Sequence, residues 1–479
     1  MSQLFSRVGI LALFSAVALG WHSSPSAYAA APGMGAAAAA GGNNINANIN
    51  VNGAAGVDID ADGVLRAHFF ADQTGQLSRQ RIAAAKAALN PQIAKPNALR
   101  KISLTRLEKA LRERLDNGQM PTDEMRFLAG LTRVQYVFYY PETKDIVIAG
   151  PAEGWVEDLT GHKRGLATAK PIVELQDLIA ALRCFAPDAK PVPLIGCSID
   201  PTKEGLANMQ QFLQSVGARA TPNDTKFIVD GLQKSLGLQN VTVNGVPDTT
   251  HFAQVMVEAD YRMKLIGIGL EAPPVKMTTY IEKAATAGGN RNAVQRWYFV
   301  PDYKCVRVGA DQNAMELVGE GVQLVAALEQ VTADGVRQNV STVDASSKAW
   351  VDSFTREYAK VAAVVPVYGQ LRNCIDLAVA AAFIKQQGYH AKAGWEMATF
   401  RDEKAFPIET EHAPKKVETA VNAVWHGNHL ATPVGGGVHI EPTQALKSAN
   451  LLEDNENKVG QQHDKVKLEN LAKGQWWWD

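Results

Sequence analysis

The densest group of residues able to do chemistry lies between Thr249 and Leu265, TTHFAQVMVEADYRMKL. Glu258 is of the type that serves as a general acid or base, with His251 as its partner. Asp260 adds a second carboxylate. Paired carboxylates cleave glycosidic bonds when they stand about 5–10 Å apart across the bond. Two residues apart on a helix they diverge, so Glu258 would need a partner from elsewhere in the chain. Steps of four bring Gln254, Glu258 and Arg262 within reach of one another. The plainer reading of that spacing is a salt-bridged helix face. Gln254, Arg262 and, far along the chain, Trp477 are candidates for a ligand or partner surface.

The helix that must carry these groups is written in an apolar stripe. Phe252, Val255, Met256, Ala259, Met263 and Ile266 recur at helical spacing and should face a core. Around it the chain predicts helices at Leu104–Leu115, closed by Gly118, and at Asp123–Leu131, Val173–Phe185, Phe227–Leu236 and Lys415–Trp425. Two long ones follow at Ala345–Val364 and Val367–Gln387. Asp200-Pro201 has the form of a helix start. Arg133–Tyr140 and Asp145–Ala149 flank a turn and read as a hairpin. Four segments from Gln295 to Leu328 read as an antiparallel meander, and Val434–Ile440 as a strand. Helices and hairpins mix without regular βαβ alternation. The expected class is therefore α+β, with mixed helices, antiparallel hairpins or a meander, and two subdomains.

Other constellations are weaker. His412, His426, His429 and His439 lie among Glu409, Glu411, Glu418 and Glu441, but no zinc spacing is present. Asp58-x-Asp60-x-Asp62-Gly63 resembles a calcium loop, yet its twelfth position is Phe69 instead of Glu. Gly435-Gly436-Gly437 would let a ligand approach the backbone, or bend the chain before a strand. Gly196-Cys197-Ser198 is no nucleophile elbow. Gln370, Asn373 and Asp376 lie in an apolar helix and need partners if buried. No metal and no cofactor is expected. The four cysteines, Cys184, Cys197, Cys305 and Cys374, allow three pairings, of which Cys184 with Cys197 closes the shortest loop. Buried thiols are the alternative.

The 479 residues are balanced in charge, with 48 basic and 49 acidic side chains, and 46% are hydrophobic. That composition supports a sizeable core and argues against nucleic acid as a partner. Arg7, the apolar run Val8–Leu19 and Ala27-Tyr28-Ala29 have the order of a secretory signal peptide, cleaved before Ala30. The run is shorter than the roughly 20 residues a membrane span needs. No transmembrane segment is expected in the mature chain. The expected organisation is a signal peptide at 1–29 and an Ala/Gly/Asn-rich arm at 30–56. An α+β core with hairpins follows at 57–330 and a helix-rich part at 331–446. A polar tail at 447–479 ends in a Trp triplet, expected to be disordered or to dock in a groove.

Several long words, LIGCSIDPTKEGL, THFAQVMVEADYRMKLIGIGLEAPPVKM and VETAVNAVWHGNHLATPVGGGVHI among them, resemble a planctomycete family of secreted proteins. That family is catalogued as a domain of unknown function, number fifteen ninety-eight. The resemblance runs from Gly56 to Leu446. It implies export and transfers no residue role. Two readings follow. One is a non-catalytic protein of the periplasm or cell surface that binds an unknown protein or cell-envelope component. The other is an extracytoplasmic hydrolase of wall or polysaccharide material, using Glu258 with Asp260 or His251.

Overall fold

Period-two runs bounded by turns assemble into two main sheets, and the helices pack on them in this computed structural model. The structure describes residues 53–59, 63–71, 75–217, 221–287, 293–331, 337–340, 345–422, 425–426, 429–430, 434–466, 468 and 471–479. The larger sheet has nine strands. Their order is Gly53–Ile59, Val64–Ala71, Lys416–Glu418, Leu238–Asn244, Ile195–Asp200, Val434–Ile440, Ala293–Pro301, Val322–Val331 and Arg337–Val340. Its pairs are antiparallel except where Lys416–Glu418 meets Val64–Ala71 and where Val434–Ile440 meets Ala293–Pro301. The second sheet is antiparallel throughout. It runs Val306–Val308, Ala314–Leu317, Tyr136–Tyr140, Asp145–Ala152, Asn97–Ser103 and Trp477–Trp478. The class is α+β.

The helix His251–Gly267 lies at the centre. Thr250 caps it, its hydroxyl accepting from the N–H of Ala253 at 3.3 Å. One side packs on the strands Ile195–Asp200 and Val434–Ile440. The other packs on the helices Leu175–Cys184 and Pro366–Gln386. Every residue from Val255 to Gly267 is buried, four charged ones included. Each large aliphatic side chain so buried contributes about 1.5–3 kcal/mol, and that sum carries the cost of the charges beside it.

The glycine run is explained by neighbouring strands. A Cβ on Gly436 would stand 1.8 Å from the carbonyl oxygen of Trp297, and one on Gly437 2.0 Å from that of Cys197. The close approach is to protein backbone on both sides.

Several expectations need correction. The four segments from Gln295 to Leu328 are not one meander. Ala293–Pro301 pairs directly with Val322–Val331, while the two short strands between them leave to join the second sheet. Lys415–Trp425 is not a helix, because Lys416–Glu418 is held as a strand between two others. The helix after Asp200 starts at Lys203 with Thr202 as its cap. The run from Asp123 gives one helical turn and then a 3₁₀ turn with Ala129 at positive φ. A boundary at 330 separates no sheets, since Val434–Ile440 sits inside the nine-stranded one. The Asn-rich arm before residue 53 and the side chains of His426 and His429 lie outside the described residues, as do Asp60 and Asp62.

The tail is the largest correction. Trp477 and Trp478 add an edge strand opposite Ile102 and Lys101. Ser103 N–H donates to the Trp476 carbonyl at 2.9 Å. Trp476 and Trp478 are buried. Arg100 is fully buried beneath them, its guanidinium 4.9 Å from the Trp477 ring. It donates to Asp479 at 2.6 and 3.1 Å and to the carbonyls of Ile93, Ala129, Gln92 and Lys95. The Trp triplet therefore docks on its own core, and Trp477 is spent there.

Candidate functional site

The central helix separates the carboxylates that the sequence places close together. Glu258 faces Arg262, whose Nη1 donates to it at 3.4 Å. Arg262 is bound more tightly to Glu271, at 2.6 Å. Burial opposes its charge, but Glu271 and Glu258 hold its pKa above the usual range. His162 Nε2 lies 4.0 Å from the second Glu258 oxygen. Asp260 points the other way, to Lys264 Nζ at 2.7 Å. Burial pushes the Asp260 carboxyl up to about 6 against that ammonium. Glu258 and Asp260 thus sit in separate ion pairs, both enclosed, and the acid–base couple is not assembled. The salt-bridged reading fits the geometry. Gln254 is half-buried.

His251 stands apart from both. It is the first residue of the central helix, and its Nδ1 lies 3.0 Å from each oxygen of Asp177. Asp177 belongs to the first turn of the helix Leu175–Cys184, where the macrodipole favours an anion. A carboxylate only accepts, so Nδ1 carries hydrogen and donates. Burial opposes an imidazolium, but Asp177 first, then Glu174 and Glu411, push the His251 pKa up to about 10. His251 is therefore cationic at neutral pH, with both ring nitrogens as donors.

This histidine lines a cavity of about 660 Å³, a size typical of small-molecule sites. Leu115, Met120, Phe127, Leu175, Phe406 and Pro407 supply most of its apolar wall. Its charged groups are Arg126, Lys163, Glu174, His251 and Glu411. Lys163 is ion-paired with Glu157 and lies 5.4 Å over the Phe127 ring. Glu174 occupies the cap position of the helix after it but makes no side-chain cap bond. It accepts from Gln176 Nε2 at 2.8 Å instead. Glu411 is fixed through its backbone, donating to the Thr249 carbonyl at 2.9 Å. Glu258, Asp260, Gln254 and Arg262 do not line this cavity.

The cysteine pair Cys184 and Cys197 is not bridged. All four cysteines are free and buried. Cys184 Sγ contacts the carbonyls of Ala180 and Gly245 at 3.3 and 3.2 Å. Burial pushes its pKa up to about 12, so it stays a thiol. His439 is paired with Glu441 at 3.2 Å on the surface. Among the described residues no group of three His, Cys, Asp or Glu could hold a metal ion, and no helix is long and apolar enough to cross a membrane.

A family model described as "Protein of unknown function (DUF1598)" matches residues 197–280. That segment contains the whole central helix and its strand partner from Cys197 onward. No curated protein and no solved structure matches the chain. Of the cavity's charged groups only His251 lies inside the matched segment; Asp177, Glu174 and Glu411 lie outside it. Sequence reasoning missed Asp177 and Glu174, and offered Glu411 only as a companion of the scattered histidines. Asp177 had one signal: it is the single charged residue in the largely apolar run LQDLIAAL.

Proposed function

We propose that this chain is an exported, non-catalytic binding protein of the periplasm or cell surface, and that the cavity beside His251 holds its ligand. The observation that carries the reading is the cavity itself, largely apolar and carrying a small set of charged groups with the His251–Asp177 pair beside them. That is the composition of a site that holds and orients a small molecule. The charge state of His251 favours holding over chemistry. A general base works best with a pKa near the working pH, whereas this imidazole keeps its proton up to about 10. Glu258, the other candidate, is committed to Arg262. Export is supported by the charged start, short apolar run and Ala-x-Ala of residues 1–29, and by the likeness to secreted planctomycete proteins.

Two measurements test it. The precursor made in a Gram-negative host should yield a mature mass beginning at Ala30; retention of the first 29 residues would remove the export reading. A neutral apolar probe, phenylbutanol, should bind saturably by ligand-observed NMR. Ala405→Trp, at the cavity wall, should abolish that binding. No binding, or binding that ignores the tryptophan, would remove the cavity reading.

A further inference from the structure

We propose that the cavity's ligand is a small organic cation, an apolar body bearing an ammonium head that sits between Glu174 and Glu411. The inference rests on the cavity being the binding site and adds the charge and class of the occupant. Three carboxylates act on His251: Asp177, Glu174 and Glu411. Of the three, Asp177 alone takes a hydrogen bond from the imidazolium, receiving Nδ1–H with both oxygens. With His251 paired to Asp177 and Lys163 to Glu157, the cavity wall is left with Glu174 and Glu411 against Arg126.

The basic residues of the wall do not cancel them. Lys163 is bound to Glu157, and Arg126 is an exposed side chain at the rim. The acceptors are also under-used. Glu174 takes one hydrogen bond, from Gln176, and leaves the cap donors of its own helix alone. An ammonium carries three donors and no acceptor, which is the complement of two carboxylates with lone pairs to spare. An anionic head would meet the same two carboxylates in a partly desolvated wall and be repelled.

The apolar part of the wall calls for the ligand's body. Met120 is 68% exposed at the cavity, one of few large hydrophobic side chains so placed among the described residues. A thioether is adaptable and suits an apolar guest of variable shape. Phe127, Phe406 and Leu175 continue the surface inward. The volume, about 660 Å³, matches a small molecule and not a folded partner's face.

Three probes with one body and different heads test this on the full-length protein: phenylbutylamine, phenylbutanol and phenylbutyrate. The amine should bind about tenfold more tightly than the alcohol, the worth of one charged hydrogen bond, and the acid should bind more weakly than either. Glu174→Gln/Glu411→Gln should bring the amine down to the alcohol's affinity and leave the alcohol unchanged. Glu411→Gln alone, a half-buried position, should give an intermediate loss, and serves if the double variant does not fold. An amine no tighter than the alcohol, or a preference that survives the double substitution, overturns the cation; the cavity reading stands as long as Ala405→Trp still removes the alcohol. If neither probe binds, both readings fall. A lysine-containing peptide that displaces the amine at lower concentration overturns the small-molecule class.

Discussion

Two ion pairs in this molecule are built from the same materials and end in different states. Arg100 with Asp479 and His251 with Asp177 each join a cation to a carboxylate distant in the chain, Arg100 fully buried and His251 half-buried. Around Arg100 the donors are spent: two go to Asp479 and the rest to four backbone carbonyls, with an indole covering the face. His251 gives one nitrogen to Asp177 and lines a cavity with two further carboxylates near it. A buried charge with every valence satisfied is structural. A charge pair left beside a cavity with acceptors in excess is a place for a ligand. The comparison can be broken by substitutions that act on one pair and should spare the other.

The largest effect should follow Arg100→Ala. It leaves Asp479 and the carbonyls of Ile93, Ala129, Gln92 and Lys95 without their donor. Removing one partner of a buried pair costs about 3–5 kcal/mol. Urea denaturation should show that loss, and the tryptophan emission of the tail should move to that of exposed indole before global unfolding. Phenylbutanol binding below the transition should persist. A variant as stable as the parent would show that the tail is not latched.

Asp177→Ala comes next. It strips His251 of its nearest counter-charge while Glu174 and Glu411 remain, so the loss should be about 2 kcal/mol. Ligand binding should fall as well, which the Arg100 substitution does not do in the folded protein. Equal effects of both substitutions on binding would erase the distinction drawn between the pairs.

The pH dependence has a definite sign. The His251 pKa is raised on folding from near 6.5 to about 10. Its stabilisation is therefore complete below pH 6.5 and is lost as pH rises through 10. The charged groups acting on it are Asp177 and Glu174 from the neighbouring helix and Glu411 from the segment that follows Pro407. The melting temperature should decline between pH 7 and 10 more steeply in the parent than in His251→Gln. Parallel curves would remove His251 as the titrating group.

Local chemistry made much of the frame legible. The helices Leu104–Asp116, Ala345–Val364 and Pro366–Gln386 could be read because period, cap or proline lies inside each segment. The Glu258–Arg262 pair was legible for the same reason, being four residues apart on one helix. The site itself was not. His251 and Asp177 are 74 residues apart, and Arg100 and Asp479 are 379 apart. Nothing local to Asp177 says which histidine it will face. Lys416–Glu418 failed in the opposite direction. The segment VETAVNAVW has helical spacing, but two neighbouring strands with open edges captured its backbone, and tertiary pairing overrode the local preference. The Trp tail reads as polar and short until the buried arginine that needs its carboxylate is in view.

The smallest expected effect is the sharpest test of where the site lies. Glu258 was the sequence's leading catalytic candidate, and Glu258→Gln removes its charge with almost no change of shape. Arg262 would keep its stronger partner, Glu271 at 2.6 Å, so the cost to stability should stay near 1 kcal/mol. The carboxylate faces His162 and Arg262 and lines no part of the cavity beside His251. Binding of phenylbutanol and of phenylbutylamine should therefore match the parent within about twofold, well under the tenfold that one charged contact supplies. A loss of amine binding here, with the alcohol unaffected, would move the cation's seat from the Glu174–Glu411 end to the central helix and make the enclosed ion pair, not the open one, the functional charge.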